Sequence, residues 1–422
     1  MLQNSRLKST YRSVLDVFTP LTIPNYQRMF SSNSIWWMTI FMELVAMGWL
    51  VLELTDSAWL VSVVGFFRTI PLIFFGFVAG PIIDRFGRRR IIIIAIIVDL
   101  CSYSVLTLLL WLNQLEVWHL YIIALALGSM WGTQWPARRG FLPDLVGKER
   151  TVDVLLIERV GQGTARIIGP TLAGILVNQY GMVGCFTVMA LVQVINLGSL
   201  WAVTVKGETE ASNEDESKKS TPFQQIKEGV AYARRSPVVM GILVATIITN
   251  LLIFPYMTLL PVFARDVLNQ NEIGLGWLGS ASGIGSFVGL LIITSWRRIG
   301  GRFGNNGTIF TTGTFLLCVV ICVFALSPVY WVSWVALLFA GITQSCFGIM
   351  QSGIMMLVVD DAMRSRMMGL IVICIGMDPF GKLIIGALAE WYGAPLALGL
   401  TSGIAMVLIL WLTAGIPQLR RI

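Results

Sequence analysis

Gly80-Pro81-Ile82-Ile83-Asp84-Arg85-Phe86-Gly87-Arg88-Arg89-Arg90 is a short basic hinge between two long apolar runs, 58–80 and 90–112. Gly80 lets neighbouring helices approach closely, and Gly87 permits a tight turn. Asp84 can accept hydrogen bonds from a helix N-terminus or pair with an arginine, a contact able to break and re-form during gating. A run of about 20 apolar residues is long enough to cross a bilayer. The hinge therefore reads as a loop between two membrane spans.

Working outward from it, further runs of that length lie near 34–54, 117–136, 154–178 and 182–204. Beyond a polar stretch come 238–262, 273–295, 307–327, 330–358, 367–391 and 394–415. The expectation is an all-α membrane protein of twelve transmembrane helices, divided as 1–204, a cytoplasmic linker at 205–237, and 238–422. The 422 residues are 56% hydrophobic and 13% charged. The charged share is about half that of a soluble domain, so lipid is the expected solvent. An echo supports two pseudo-symmetric six-helix bundles: Gly169, Gly174 and Tyr180-Gly181 recur as Gly381, Gly386 and Tyr392-Gly393. Halves related in this way place a substrate site at their interface.

Basic residues set the orientation. With the N-terminus inside, the inner segments hold Arg6, Lys8, Arg12, Arg28, Arg85, Arg88 to Arg90, Arg138, Arg139, Lys148 and Arg150. They also hold Lys206, Lys218, Lys219, Lys227, Arg234, Arg235, Arg297, Arg298, Arg302, Arg364, Arg366, Arg420 and Arg421, against Arg265 alone outside. The net charge of +7 is thus a topology signal, and no nucleic-acid site is expected. Both termini are expected in the cytoplasm. The linker opens with an acidic, Ser-rich part, Glu208 to Ser220. From Pro222 to Arg235 it has helical spacing, suited either to an amphipathic helix on the membrane surface or to a solvated tether. The six cysteines fall in apolar runs without a CxxC pair, and His119 has no neighbours at metal-ligand spacing. No metal and no cofactor are expected.

The hinge resembles the G-x-L-x-D-R-x-G-R-[KR] signature of the major facilitator superfamily. Gly80, Asp84, Arg85, Gly87, Arg88 and Arg89 match it, while Pro81 and Ile82 depart. Pro136-Ala137-Arg138-Arg139-Gly140-Phe141-Leu142-Pro143-Asp144-Leu145-Val146 is similar to the P-x-R-x-x-L-P-D-L-V segment of the drug:proton antiporter-3 branch, which includes macrolide, tetracycline and enterobactin exporters. Pro24 to Arg28 and Arg68-Thr69-Ile70-Pro71 resemble it too. The resemblance implies the major facilitator fold, with helices three, six, nine and twelve peripheral. It also implies gating roles for the signature residues and for Arg138 and Asp144. Span five, with Gly161, Gly163, Gly169, Pro170 and Gly174, is similar to the glycine-rich fifth helix of exporters, although close helix packing alone also suits it.

Charges inside spans are costly unless paired or wetted. Glu43 and Arg68 lie at similar depth on consecutive spans, so they can pair, either as a proton-sensitive switch or as a static tie. Arg166 and Asp378 stand at equivalent positions of the two halves and can meet across the central cavity or act separately as an anion clamp and a proton site. Lys382 offers Asp378 a competing partner at i, i+4. Asp99 is the intramembrane charge expected farthest from substrate. Trp131 and Trp135, four apart in span four, suit either stacking on a solute or helix packing.

Together these point to a secondary transporter of the bacterial inner membrane, and not an enzyme. No phosphate loop is present for ATP drive, and no nucleophile–base or metal constellation for catalysis. The expected activity is proton-coupled export of an amphipathic or aromatic molecule, a drug or a siderophore, by alternating access. Its expected partners are a small-molecule substrate, protons and the lipid bilayer, with the chain a monomer. Uptake or exchange of an anionic metabolite or lipid is the second reading, and a non-transporting receptor the remote one.

Overall fold

The computed structural model describes residues 18–205, 222–298 and 306–420. The acidic part of the linker lies outside them, as do Arg6, Lys8, Arg12, Lys206, Lys218, Lys219, Arg302 and Arg421. Among the described residues every regular element is helical. In order come α1 (Pro24–Thr55), α2 (Ala58–Thr69), α3 (Pro71–Phe86), α4 (Arg88–Trp111), α5 (Val117–Val146) and α6 (Thr151–Trp201). Then follow α7 (Pro222–Arg235), α8 (Pro237–Leu252), α9 (Tyr256–Val262), α10 (Glu272–Arg298) and α11 (Asn306–Leu326). The chain closes with α12 (Tyr330–Val358), α13 (Asp361–Ile375), α14 (Asp378–Tyr392) and α15 (Ala394–Gly415).

Ten helical stretches of the described residues are long and apolar enough to cross a membrane. Thr151–Trp201 is one of them, yet it holds two expected spans: Gly181, at φ 68°, breaks the helix where a side chain would be strained. The fourth expected span does not end at 136. Helix α5 runs through Pro136 and Pro143 to Val146, because neighbouring helices tolerate the freed carbonyls. Large apolar side chains remain exposed in mid-helix, among them Ile97, Leu191, Val323 and Leu410, as expected where the outer solvent is lipid.

Between the two halves, α2 packs along α14, and the first part of α6 packs along α10. A Cβ on Gly174 would collide with the Glu272 carbonyl, so glycine is what lets α6 and α10 touch. Polar ties reinforce the end remote from the basic hinge. Arg265 pairs with Asp56 at 2.8 Å, and Glu390 accepts from the Ser57 hydroxyl and the Trp59 amide, each at 3.0 Å. The second part of the linker is a helix, α7, docked on α13: Glu228 pairs with Arg366 at 3.0 Å, and Tyr232 donates to Asp360 at 3.2 Å.

Candidate transport pathway

Two prolines interrupt helices beside the charged centre. Pro71 has no amide hydrogen for the Phe67 carbonyl, so the hydrogen-bond ladder of the second span lapses between α2 and α3, while Ile70 keeps helical dihedrals of φ −58° and ψ −34°. Arg68 falls in the last turn before the break. Its Nε and Nη2 donate to the two Glu43 oxygens at 2.5 and 3.1 Å, forming the expected pair as a two-point fork. Tyr103 of α4 adds a third bond to Glu43 at 3.2 Å. The Arg68 guanidinium lies 5.4 Å from the Trp131 ring centre. Arg68 Nη1 and Trp131 Nε1 are buried without a hydrogen-bond partner.

Pro379 does for the eleventh expected span what Pro71 does for the second. The helix is interrupted at Gly376–Met377, and α14 restarts at Asp378. Lys382 pairs with Asp378 at 2.8 Å within α14 and donates to Thr69 Oγ1 of the opposite half at 3.2 Å. Lys382 of the second pair thus bonds the residue next to Arg68, whose hydroxyl itself donates to the Gly65 carbonyl at 2.9 Å. Of the alternatives open for Arg166 and Asp378, the structure holds the two apart, with the local partner on Asp378. Asp378 holds Lys382, and Arg166 Nη2 donates to Gln344 Oε1 of α12 at 2.8 Å.

Arg138 also needs correction. It is not a loop cation but sits 2% exposed inside α5. It donates to Gln134 at 2.7 Å, Asn33 at 2.6 Å and Ser32 at 3.0 Å, with its guanidinium 4.9 Å from the Trp36 ring. Gln134 in turn donates to Asp99 at 3.4 Å, so Asp99 joins a buried network of the first half. Trp135 lies apart from this centre, its ring 4.5 Å from the Arg139 guanidinium.

In the hinge, Gly87 takes φ +83° and turns the chain from α3 into α4. Arg88 binds both Asp144 oxygens, at 2.9 and 2.7 Å, and Arg89 donates to the Trp201 carbonyl at 3.0 Å. These bonds tie α4 to the ends of α5 and α6. Arg85 lies over Phe86. The close approach expected at Gly80 is absent: a Cβ there would meet nothing within 4 Å. Asp84 is exposed and, among the described residues, makes no hydrogen bond or ion pair. Tyr103, Gln134, Thr69 and Gln344 escaped the sequence reading, since a neutral polar residue in a span carries no cost as legible as a charge.

The transmembrane secretion effector family model matches residues 16–421. The chain is 24% identical over 388 residues to the multidrug efflux pump Tap of Mycolicibacterium fortuitum, covering 90% of this chain and 92% of that one. It is 20% identical to the staphyloferrin A transporter of Staphylococcus aureus, covering 86% and 89%. Macrolide efflux protein A of Streptococcus pyogenes is 22% identical over 65% of this chain and 66% of its own length. Solved structures share the fold: a nucleoside transporter, NupG, at TM-score 0.73 and 12% identity, with 93% of this chain and 99% of that chain covered. A POT peptide transporter gives 0.74 at 14% identity, with 94% and 95% covered. The chain is a multi-pass membrane transporter of small molecules, and it belongs to the transmembrane secretion effector family of the major facilitator superfamily.

Proposed function

We propose that this chain exports an amphipathic small molecule, a drug or a siderophore, in exchange for protons. Its relatives named as efflux pumps and as a siderophore transporter support that substrate range. The observation that carries the mechanism is the contact of Lys382, paired with Asp378, to Thr69, the residue after Arg68 in the Glu43–Arg68 pair. Protonation of Asp378 removes the charge that holds Lys382, and Lys382 is the group that reaches across to Thr69. Proton binding then frees Lys382 from its own helix and shifts the balance of the two arrangements.

In this reading there are twelve spans in two bundles, 1–204 and 238–422, and the basic hinge faces the cytoplasm of a bacterial cell. The ties among Asp56, Arg265, Ser57 and Glu390 then close the outer side. The unpaired Asp84 and the open space at Gly80 belong to a hinge waiting for its closed-state contacts on the inner side. The test is transport by the full chain in everted vesicles, with ethidium, erythromycin and pyrenebutyrate as probes. Uptake of at least one probe is expected under an acid-interior gradient and is abolished by a protonophore. Movement of a probe at the same rate with and without the gradient would remove proton coupling.

A further inference from the structure

Three cations stand in the central region, and their partners differ. Arg68 has Glu43 and Lys382 has Asp378. Arg166 has only the neutral Gln344, and no ion pair to it is found among the described residues. Its Nε is buried without any hydrogen-bond partner. The side chain is also held in place. A Cβ on Gly283 would press to 2.7 Å from the Arg166 carbonyl and 3.2 Å from its Cγ, so α10 lies directly against it.

An unpaired guanidinium in a low-dielectric interior is expensive unless something accepts from it. The cavity beside Arg166 has a volume of about 20 Å³, room for about one water, and is otherwise nearly apolar, lined by Met257, Leu260 and Pro261 of α9 and by Leu275 and Ser282 of α10. Such a site has one fixed positive charge, planar donors suited to an oxyanion, and apolar walls.

We infer that Arg166 anchors the anionic head group of an amphipathic organic substrate, which enters when the small cavity between α1, α6, α9 and α10 opens around it. The inference deepens the export reading by naming the substrate class. Binding, which reads the anchor alone, separates its failure from a failure of proton-driven export.

The test titrates the purified full chain with pyrenebutyrate and with its neutral amide, pyrenebutanamide, following pyrene fluorescence. Wild type is expected to bind the acid about tenfold more tightly than the amide, the discrimination of one charge-assisted hydrogen-bonded contact. Arg166→Gln should remove that preference, and an unchanged unfolding temperature reports an intact fold. Arg166→Lys should retain part of it, because the charge stays and the fork is lost. Displacement of pyrenebutyrate by lysophosphatidic acid would identify the oxyanion as that of a lipid, and displacement by octanoate alone that of a soluble acid. Equal affinity of wild type for acid and amide, no saturable binding of the acid, or undiminished preference in Arg166→Gln would overturn the assignment.

Discussion

The two buried ion pairs sit side by side and are built differently. Glu43–Arg68 joins α1 to α2, its side chains only 4% and 16% exposed, and Tyr103 ties it to a third helix. Asp378–Lys382 lies within α14, at i, i+4, and only its cation reaches outside, to Thr69. A pair spanning three helices supports the first half of the molecule. A pair within one helix can open without repacking any interface. In the proposed function the first pair is then the scaffold and the second the switch.

The largest effect is expected where the scaffold pair is cut. Arg68→Ala leaves Glu43 buried without its cation, which costs about 3–5 kcal/mol. Thermal unfolding of the purified protein should show that loss, and Glu43→Leu combined with Arg68→Met should recover most of it. Equal destabilisation by Asp378→Asn would erase the distinction between the pairs. A smaller change is expected at the bond between them. Thr69→Val removes the acceptor for Lys382 and should slow transport about three- to tenfold, in line with one hydrogen bond to a charged group. A rate equal to wild type would show that the two pairs work independently. The smallest effect belongs to the hinge. Arg88 and Asp144 are 24% and 23% exposed, so Arg88→Ala should change unfolding stability by no more than about 1 kcal/mol.

The same contrast explains what could be read from the sequence. Glu43 and Arg68 were legible because a charge in a span needs a partner, and consecutive spans place these two at one depth. The local Asp378–Lys382 pair was legible from its i, i+4 spacing, but its contact with Thr69 was not. That contact depends on how two halves dock, and no periodicity encodes docking. Arg138 was misplaced because Pro136 and Pro143 suggest the end of a helix. The helix continues through both, carrying Arg138 into a buried network with Ser32, Asn33 and Gln134. Ten stretches among the described residues have the length that bilayer thickness demands. The division between the fifth and sixth expected spans needs only the positive φ of Gly181 within one continuous stretch.

The switch assigned to α14 is tested most directly with Asp378→Asn in reconstituted vesicles, using whichever probe the wild type moves. Two rates are compared: accumulation driven by an imposed proton gradient, and counterflow between equal pH on both sides. Loss of gradient-driven accumulation, with counterflow preserved and unfolding temperature unchanged, is the predicted result. Gradient-driven accumulation at the wild-type rate would contradict the assignment of the proton switch to Asp378.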